Sequence, residues 1–360
     1  LQTIRFRAGY ADYRHDELEE DDAIGTSFFN NGGEARLELV QATHGGWTGA
    51  TGVQGLFRDF KVRGDEKFVP DTRTGQIGLF TLQSFEAGPF KAEAGGRVEH
   101  ATVHARADAI LGNPDANRSF DVYSGSIGAS YQVVPGWRIG LNGSHSERAP
   151  SSEELFANGP HAGTQAFEIG DPTLTKEKSN GIEATIRGRG RGYTLNASLY
   201  HTWFDGYVYD SQTGAIEDDL PVFQTQQAKA RYYGFEVEGT LDLAQIGGWK
   251  LVTDGLADYV RARIVSVGPA PRIPPLRLLG GVEAQSERLT ARGEVEWTDR
   301  QDRLSAFETE TSGFTLVNAS LAWHPLKGNS ATTITLSANN IFDVVALLPF
   351  SGCQASDALT

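Results

Sequence analysis

The sequence predicts an all-β protein, a large antiparallel transmembrane β-barrel, on three observations. Apolar and polar residues alternate from one end of the chain to the other. The connections between alternating segments are by turns short and long, as in outer-membrane barrels. No run of about 20 apolar residues occurs, which excludes an α-helical membrane span.

About fifteen alternating segments are present. They begin near residues 2, 27, 46, 74, 89, 118, 136, 176, 192, 222, 248, 274, 288, 312 and 331. In the segment from Tyr193 to Trp203, one face carries Tyr193, Leu195, Ala197, Leu199, His201 and Trp203. The other face carries Thr194, Asn196, Ser198, Tyr200 and Thr202. Trp137, Ile139 and Leu141 alternate with Arg138, Gly140 and Asn142, and Ile334, Leu336 and Ala338 with Thr335, Ser337 and Asn339. Glu34, Arg36 and Glu38 share a face opposite Ala35, Leu37 and Leu39. In a barrel the apolar face meets lipid and the polar face lines a lumen, so a mean hydropathy of -0.34 is no obstacle.

Short turns are expected at Gly45-Gly46, Gly88-Pro89, Val134-Pro135-Gly136, Arg189 to Gly192 and Gly247-Gly248. Long polar connections are expected at residues 15–24, 64–73, 106–117, 149–175, 206–220 and 298–311. Aromatic residues fall near segment ends, among them Tyr10, Tyr13, Trp47, Phe57, Trp137, Trp203 and Trp323, as in interfacial girdles. Such a pattern also suits a large soluble β-sandwich. No stretch of helical length carries a helical stripe.

Composition narrows the function. The 360 residues carry a formal charge of -14, which argues against nucleic acid as a partner. Cys353 is the single cysteine, so an internal disulfide and a cysteine-built zinc site are excluded. No methionine occurs and the chain begins at Leu1, so it reads as a piece of a longer protein. No metalloprotease H-E-x-x-H is present, and no nucleophile elbow in a strand–helix context. The glycine-rich Gly188 to Gly192 lies at a strand–strand turn rather than before a helix. An enzyme is not expected, and neither is a resident cofactor.

The densest group of metal-binding side chains is His15-Asp16-Glu17-Leu18-Glu19-Glu20-Asp21-Asp22. Imidazole and carboxylate oxygen suit zinc and other divalent ions when three or four ligands converge. A solvated acidic loop tip explains the same run. His161, in the longest connection, is a candidate second-loop ligand or a structural residue. Glu217-Asp218-Asp219 reads as a solvated acidic tip. His100 and His104, four apart on a strand, lie about 13 Å apart at about 3.3 Å per residue, too far for one ion. They read as strand-end or lumen residues.

Several stretches resemble the C-terminal barrel of TonB-dependent outer-membrane receptors. They are Ser146 to Phe156, Phe167 to Pro172, Leu174 to Glu183, Tyr233 to Gly239 and Ala338 to Asp343. A narrower resemblance, to the branch containing zinc-importing receptors, rests on Asp12 to Glu19, Gly25 to Phe28, Ala157 to His161, Asp258 to Ala262 and Pro271 to Arg277. The branch also holds receptors of unassigned substrate.

The resemblance implies a fragment of a barrel of about 22 strands with a plugged lumen. Residues 1–343 would be barrel and 344–360 an atypical tail, with the plug domain, its energy-coupling box and the first strands lying outside this chain. It implies a monomer in the outer membrane of a Gram-negative bacterium, in contact with lipid and coupled to TonB. The cargo expected from the branch is a divalent metal, zinc first, taken by His15, Asp16, Glu17, Glu19 and His161. Iron–siderophore, haem and cobalamin receptors of the same family are the alternatives, and a carbohydrate-binding β module is the alternative from another class.

Overall fold

The computed structural model describes residues 1–18, 23–306, 308–326 and 332–347. The chain runs through β1 (Thr3–Leu18), β2 (Ile24–Val40), β3 (Trp47–Gly64), β4 (Thr72–Ala87), β5 (Phe90–Ala105), β6 (Ala116–Val134) and β7 (Trp137–Arg148). Next come α1 (Ser152–Phe156), β8 (Asn158–His161), β9 (Ala166–Ile169), β10 (Glu177–Gly190), β11 (Tyr193–Glu217) and β12 (Leu220–Ile246). Then follow β13 (Trp249–Ile264), β14 (Gly268–Pro269), β15 (Arg277–Gln285), β16 (Leu289–Thr298), β17 (Phe314–Trp323) and β18 (Ile334–Ala338). Every segment expected from alternation is present. The widest offsets are residue 27 against Ile24, 274 against Arg277 and 331 against Ile334. The strands belong to one 18-stranded sheet.

The chain divides into two compact units. The first comprises Leu1–Ala129, Asn142–Gly181 and Trp203–Ala230; the second comprises Ser130–Leu141, Ile182–Thr202 and Arg231–Thr360.

In the first unit β1 to β5 pair antiparallel in chain order. Alternation sorts their side chains onto two faces. One face exposes Ile4, Phe6, Tyr10, Leu37, Leu39, Phe57, Ile77 and Leu79. Gly33 stands between Tyr10 and Phe57 in register. A Cβ there would lie 2.4 Å from the Phe57 ring, so glycine lets the two rings approach to 6.5 Å. The apolar stripe of β1 stops at Tyr10, and Asp12, Arg14 and Asp16 continue the same face. A membrane-spanning strand needs only about 9–11 residues, and β1 has 16. Its last third therefore rises beyond the apolar band.

The opposite face carries a polar ladder. Arg36 donates through Nη2 to Glu38 Oε1 (2.7 Å) and through Nη1 to Gln54 Oε1 (3.1 Å). Gln54 Nε2 donates to Glu34 Oε1 at 3.0 Å. Arg97 reaches Gln54 Oε1 at 3.2 Å and pairs with Glu99. The Arg36 guanidinium lies 4.0 Å over the Phe80 ring. The expected single face of Glu34, Arg36 and Glu38 is thus real, with Gln54 on the next strand and the Phe80 ring two strands away.

The second unit repeats the scheme in β13, β15, β16, β17 and β18, paired antiparallel. Leu278, Val282, Val295, Trp297, Leu321 and Trp323 are exposed on one face. On the other, Arg292 pairs with both Asp254 and Glu294, and Arg277 with Asp258 at 2.8 Å. The turn before β13 has positive φ at Gly247 (57°) and Gly248 (84°), the geometry that a tight hairpin demands.

Three sequence expectations change. The connection expected over residues 15–24 begins only after Leu18, because His15 to Leu18 pair with β2 as strand. The connection expected over 206–220 is a hairpin continuation of β11 and β12, turning at Asp218 and Asp219 with φ of 50° and 61°. Residues 149–175 are structured. Ser151 caps α1: its Oγ accepts from Glu154 N (3.1 Å), while Ser151 N donates to Glu154 Oε2 (2.7 Å).

The buried core sits at that long-loop end. Leu155 and Phe156 pack with Val103, Ala105, Phe120, Val122 and Leu174. Phe28, Phe60, Val62, Phe68, Val69 and Ala157 form a second cluster. β9 adds itself to β12 in parallel, Phe167 opposite Val222.

Candidate metal-capture site

The site lies in the first unit where β1 and β2 rise past the apolar stripe. Alternation decides what can meet there. His15 and Glu17 project to the ladder face, opposite Phe28 and Thr26 in register. Asp16 lies on the other face, where Ser27 Oγ donates to its Oδ1 (2.5 Å) and Arg14 Nη2 donates to the same oxygen (3.1 Å). Glu19 falls outside the described residues.

Four aromatic rings order the patch. His15 stacks on Phe28 at 4.4 Å and an interplanar angle of 6°. Phe28 lies 6.4 Å from Phe68, and Phe68 stacks on His161 at 4.1 Å and 8°. Phe68 is 3% exposed and Phe28 5%, so both imidazoles rest on buried walls. His161 is brought in by β8, which pairs antiparallel with β9. Gly159 makes this seat possible: a Cβ there would lie 2.6 Å from Lys67 O and 2.9 Å from Phe68 Cα.

His161 Nδ1 is 3.0 Å from Glu168 Oε1, which also accepts from Thr164 Oγ1 at 2.7 Å. Burial opposes a charged imidazole, but the Glu168 hydrogen bond and the charges of Glu168, Glu17 and Glu66 outweigh it and raise the His161 pKa. Burial likewise opposes the Glu168 carboxylate, but the bonds from His161 and Thr164 prevail and keep its pKa low. The other ring nitrogen, His161 Nε2, would lie 3.3 Å from a Cβ at Gly163, and Glu17 Oε1 3.8 Å from the same point.

Three polar atoms of the patch are enclosed without a hydrogen-bond partner among the described residues: His15 Nδ1, Glu17 Oε2 and Thr26 Oγ1. Enclosed polar groups are almost always satisfied, and leaving one unmade costs about 1–3 kcal/mol. The three belong to neighbouring register positions, His15 opposite Phe28 and Glu17 opposite Thr26. Among the described residues, no group of three or more His, Cys, Asp or Glu side chains is already close enough to hold a metal ion. The structure therefore brings His15, Glu17 and His161 to one patch in an open arrangement, and turns Asp16 away from it.

The remaining candidates have ordinary partners. His100 Nδ1 is 2.8 Å from Asp121 Oδ1, and His104 Nε2 is 3.3 Å from Asp115 Oδ1. Both histidines share the outward face with Ile77, which pairs with His100, so the lumen position is corrected. His145 meets Asn180 at 2.9 Å and His324 meets Thr333 at 3.2 Å. Glu153 pairs with Arg58 at 2.9 Å, and Glu154 with Arg148 at 2.8 Å. Thr26, Phe68 and Glu168 are the site residues that sequence reasoning did not assign a part. Thr26 and Phe68 are placed by strand register and loop packing, and only Glu168, in the same connection as His161, carried a readable signal.

Long antiparallel strands with an apolar outer stripe, a charged inner ladder and a polar patch beyond the stripe fit an outer-membrane barrel. The chain matches the TonB dependent receptor-like β-barrel family over residues 2–341, and it belongs to that family. This places it in the outer membrane of a Gram-negative cell, in a family of transport receptors rather than enzymes. Among solved structures it is similar to "Copper transporter OprC", with a TM-score of 0.81 and 17% identity over 99% of this chain and 59% of that one. It is similar to the FrpB iron transporter from Neisseria meningitidis (F3-3 variant), with a TM-score of 0.69 and 13% identity over 95% and 56%. It is also similar to the ferric yersiniabactin uptake receptor FyuA from Yersinia pestis, with a TM-score of 0.62 and 15% identity over 95% and 53%. The chain thus spans a little over half the length of these relatives.

Proposed function

We propose that the chain is the barrel part of a TonB-driven receptor that takes up a divalent metal, zinc first, and that His15, Glu17 and His161 capture it. The observation that carries the reading is the set of enclosed, unpartnered atoms on His15, Glu17 and Thr26 beside His161 Nε2. Two imidazoles and a carboxylate form a borderline donor set suited to Zn²⁺ or Cu²⁺. The chain has no methionine, and its one cysteine, Cys353, lies far from the patch in sequence. Among this chain's own residues, then, no thioether is offered to Cu⁺. The separation of the ligands is a feature of capture, since the ion itself would draw His15, Glu17 and His161 together. Similarity to copper and iron receptors supports metal or metal-chelate cargo in general. TonB coupling follows from the family and belongs to the whole receptor.

The test is calorimetry on the full-length receptor in detergent with zinc, copper and nickel at neutral pH, paired with cellular uptake. Binding by one site is expected, with His15→Ala and His161→Ala each weakening it at least tenfold. Unchanged binding and uptake in the double variant would sink the assignment. Binding of a ferric catecholate with no response to free metal would move the receptor to the iron-chelate group.

A further inference from the structure

A second site lies in the second unit, on its outward face. A cleft of about 510 Å³ opens beside β12 and β13, bounded by the segments that precede β15 and follow β16. Five arginines line it: Arg231, Arg261, Arg263, Arg300 and Arg303, against the carboxylates Asp299 and Asp302. In a chain with a formal charge of -14 this is an unusual concentration of positive charge.

Alternation fixes the direction it faces. On β12, Tyr233, Val237, Leu241 and Leu243 are exposed on one face, and Arg231 continues that face. On β13, Ala257 pairs with the exposed Leu278, so Tyr259, Arg261 and Arg263 look outward too. β12 descends from the long-loop end and β13 climbs back to it. Arg231 and Arg261 therefore each sit two residues, about 6.6 Å, beyond a tyrosine on the side away from the apolar band. Tyrosines mark the membrane interface, and the next level outward is that of lipid headgroups.

The arginines are poorly neutralised. Among the described residues, Arg231, Arg261 and Arg263 make no ion pair. The Arg261 guanidinium lies 5.6 Å over the Tyr259 ring, and its Nε is enclosed without an acceptor. Arg303 Nη1 donates to Tyr259 Oη at 3.2 Å, which leaves its charge unmatched. Arg300 alone has a carboxylate, Asp302 at 3.0 Å. Five guanidinium groups against two carboxylates leave an excess of positive charge that calls for an anion, and planar guanidinium groups match phosphate oxygens two at a time.

We propose that this outward cleft binds the phosphorylated headgroup of an outer-leaflet glycolipid. The acyl chains would continue down the apolar stripe below Tyr233 and Tyr259, along Val237, Leu241 and Leu278. Arg231, Arg261 and Arg263 carry the phosphate contacts, and Arg300 and Arg303 close the far side. The site shares no residue with the His15 and His161 patch and needs no metal cargo.

The test uses the full-length receptor in phosphatidylcholine nanodiscs, with bis-phosphorylated lipid A as probe and native mass spectrometry as readout. Saturable binding is expected, tighter than for monophosphorylated lipid A and indifferent to an equal concentration of inorganic phosphate. Each headgroup-level arginine is worth about fivefold in affinity. Arg263→Gln, an exposed residue whose loss removes no packing, is expected to weaken binding about fivefold. The triple glutamine variant of Arg231, Arg261 and Arg263 is expected to weaken it on the order of a hundredfold. The triple lysine variant should recover most of that loss. Unchanged affinity in Arg263→Gln and the triple glutamine variant overturns the proposal. Equal competition by inorganic phosphate overturns the lipid assignment and marks a free-anion site.

Discussion

Two regions of the first unit use the same residue types to opposite ends. In the lower ladder, Glu34, Arg36, Gln54 and Arg97 find partners at 2.7–3.2 Å. In the upper patch, His15, Glu17 and Thr26 leave enclosed atoms without any among the described residues. Both regions lie on one face of the sheet, and β2 runs through both. Charge alternation alone does not tell structure from function; completeness of pairing does. A satisfied ladder has no free energy left to gain from a ligand, whereas an unsatisfied patch recovers about 1–3 kcal/mol per atom when a ligand arrives.

The comparison breaks most visibly if the upper patch is unseated while the ladder stays intact. Leu155 is 1% exposed and anchors α1 in the core that carries residues 149–175. Leu155→Ala is expected to cost about 2–5 kcal/mol. The effect should appear as protease cleavage within residues 149–175 and loss of metal binding, with the barrel still inserted. Full retention of binding would mean that His161 does not depend on this packing.

A ladder variant should do the converse with a smaller effect. Arg97→Ala removes the cation between Gln54 and Glu99, whose side chain is only 14% exposed. The expected loss is about 1–3 kcal/mol of stability, read as a lower urea midpoint in detergent, with metal affinity unchanged. A fall in affinity would join the two regions into one functional unit.

Acidity sharpens the contrast further, because only the patch contains a partnered, half-buried imidazole. The raised His161 pKa sets the sign. The His161–Glu168 pair contributes fully below the unfolded value of about 6.5 and is lost as pH rises through the higher folded value. The amides of β8 and β9, once corrected for the intrinsic base catalysis of exchange, should therefore be better protected at about pH 6 than at about pH 9. Metal capture needs the neutral ring, so affinity should move the other way and weaken as pH falls. Glu168→Gln should flatten the protection profile and move the affinity profile to lower pH. A protection profile that stays steep, or an affinity profile that does not move, would assign the titration to another group.

Much of this was legible in the sequence, and the gaps have physical causes. Period-two alternation and turn glycines such as Gly247-Gly248 located the long strands, because each signal is local. The shared face of Glu34, Arg36 and Glu38 followed from the same period. Short β8 and β9 were not readable, since four residues carry no period and β9 is held by distant β12. The five-residue α1 offered only its cap, Ser151 with Glu154. The patch itself was half legible. His15, Glu17 and His161 were visible as ligand types, but the enclosure of Thr26 and the Phe68 wall depend on register and loop packing.

The smallest expected effect is also the most discriminating, because it compares neighbours in one strand. In sequence, Asp16 and Glu17 are equivalent carboxylates beside His15. In the structure they lie on opposite faces: Asp16 is satisfied by Ser27 and Arg14, and Glu17 Oε2 is enclosed and unpartnered. Asp16→Asn keeps an acceptor for Ser27, and its pair with the exposed Arg14 is screened by solvent. Metal affinity should change less than about twofold, or about 0.4 kcal/mol. Glu17→Gln removes an anionic ligand and should weaken binding about tenfold or more, about 1.4 kcal/mol. Equal losses in the two variants would return the segment to a solvated acidic tip acting by charge alone, since only a fixed strand geometry can tell residue 16 from residue 17.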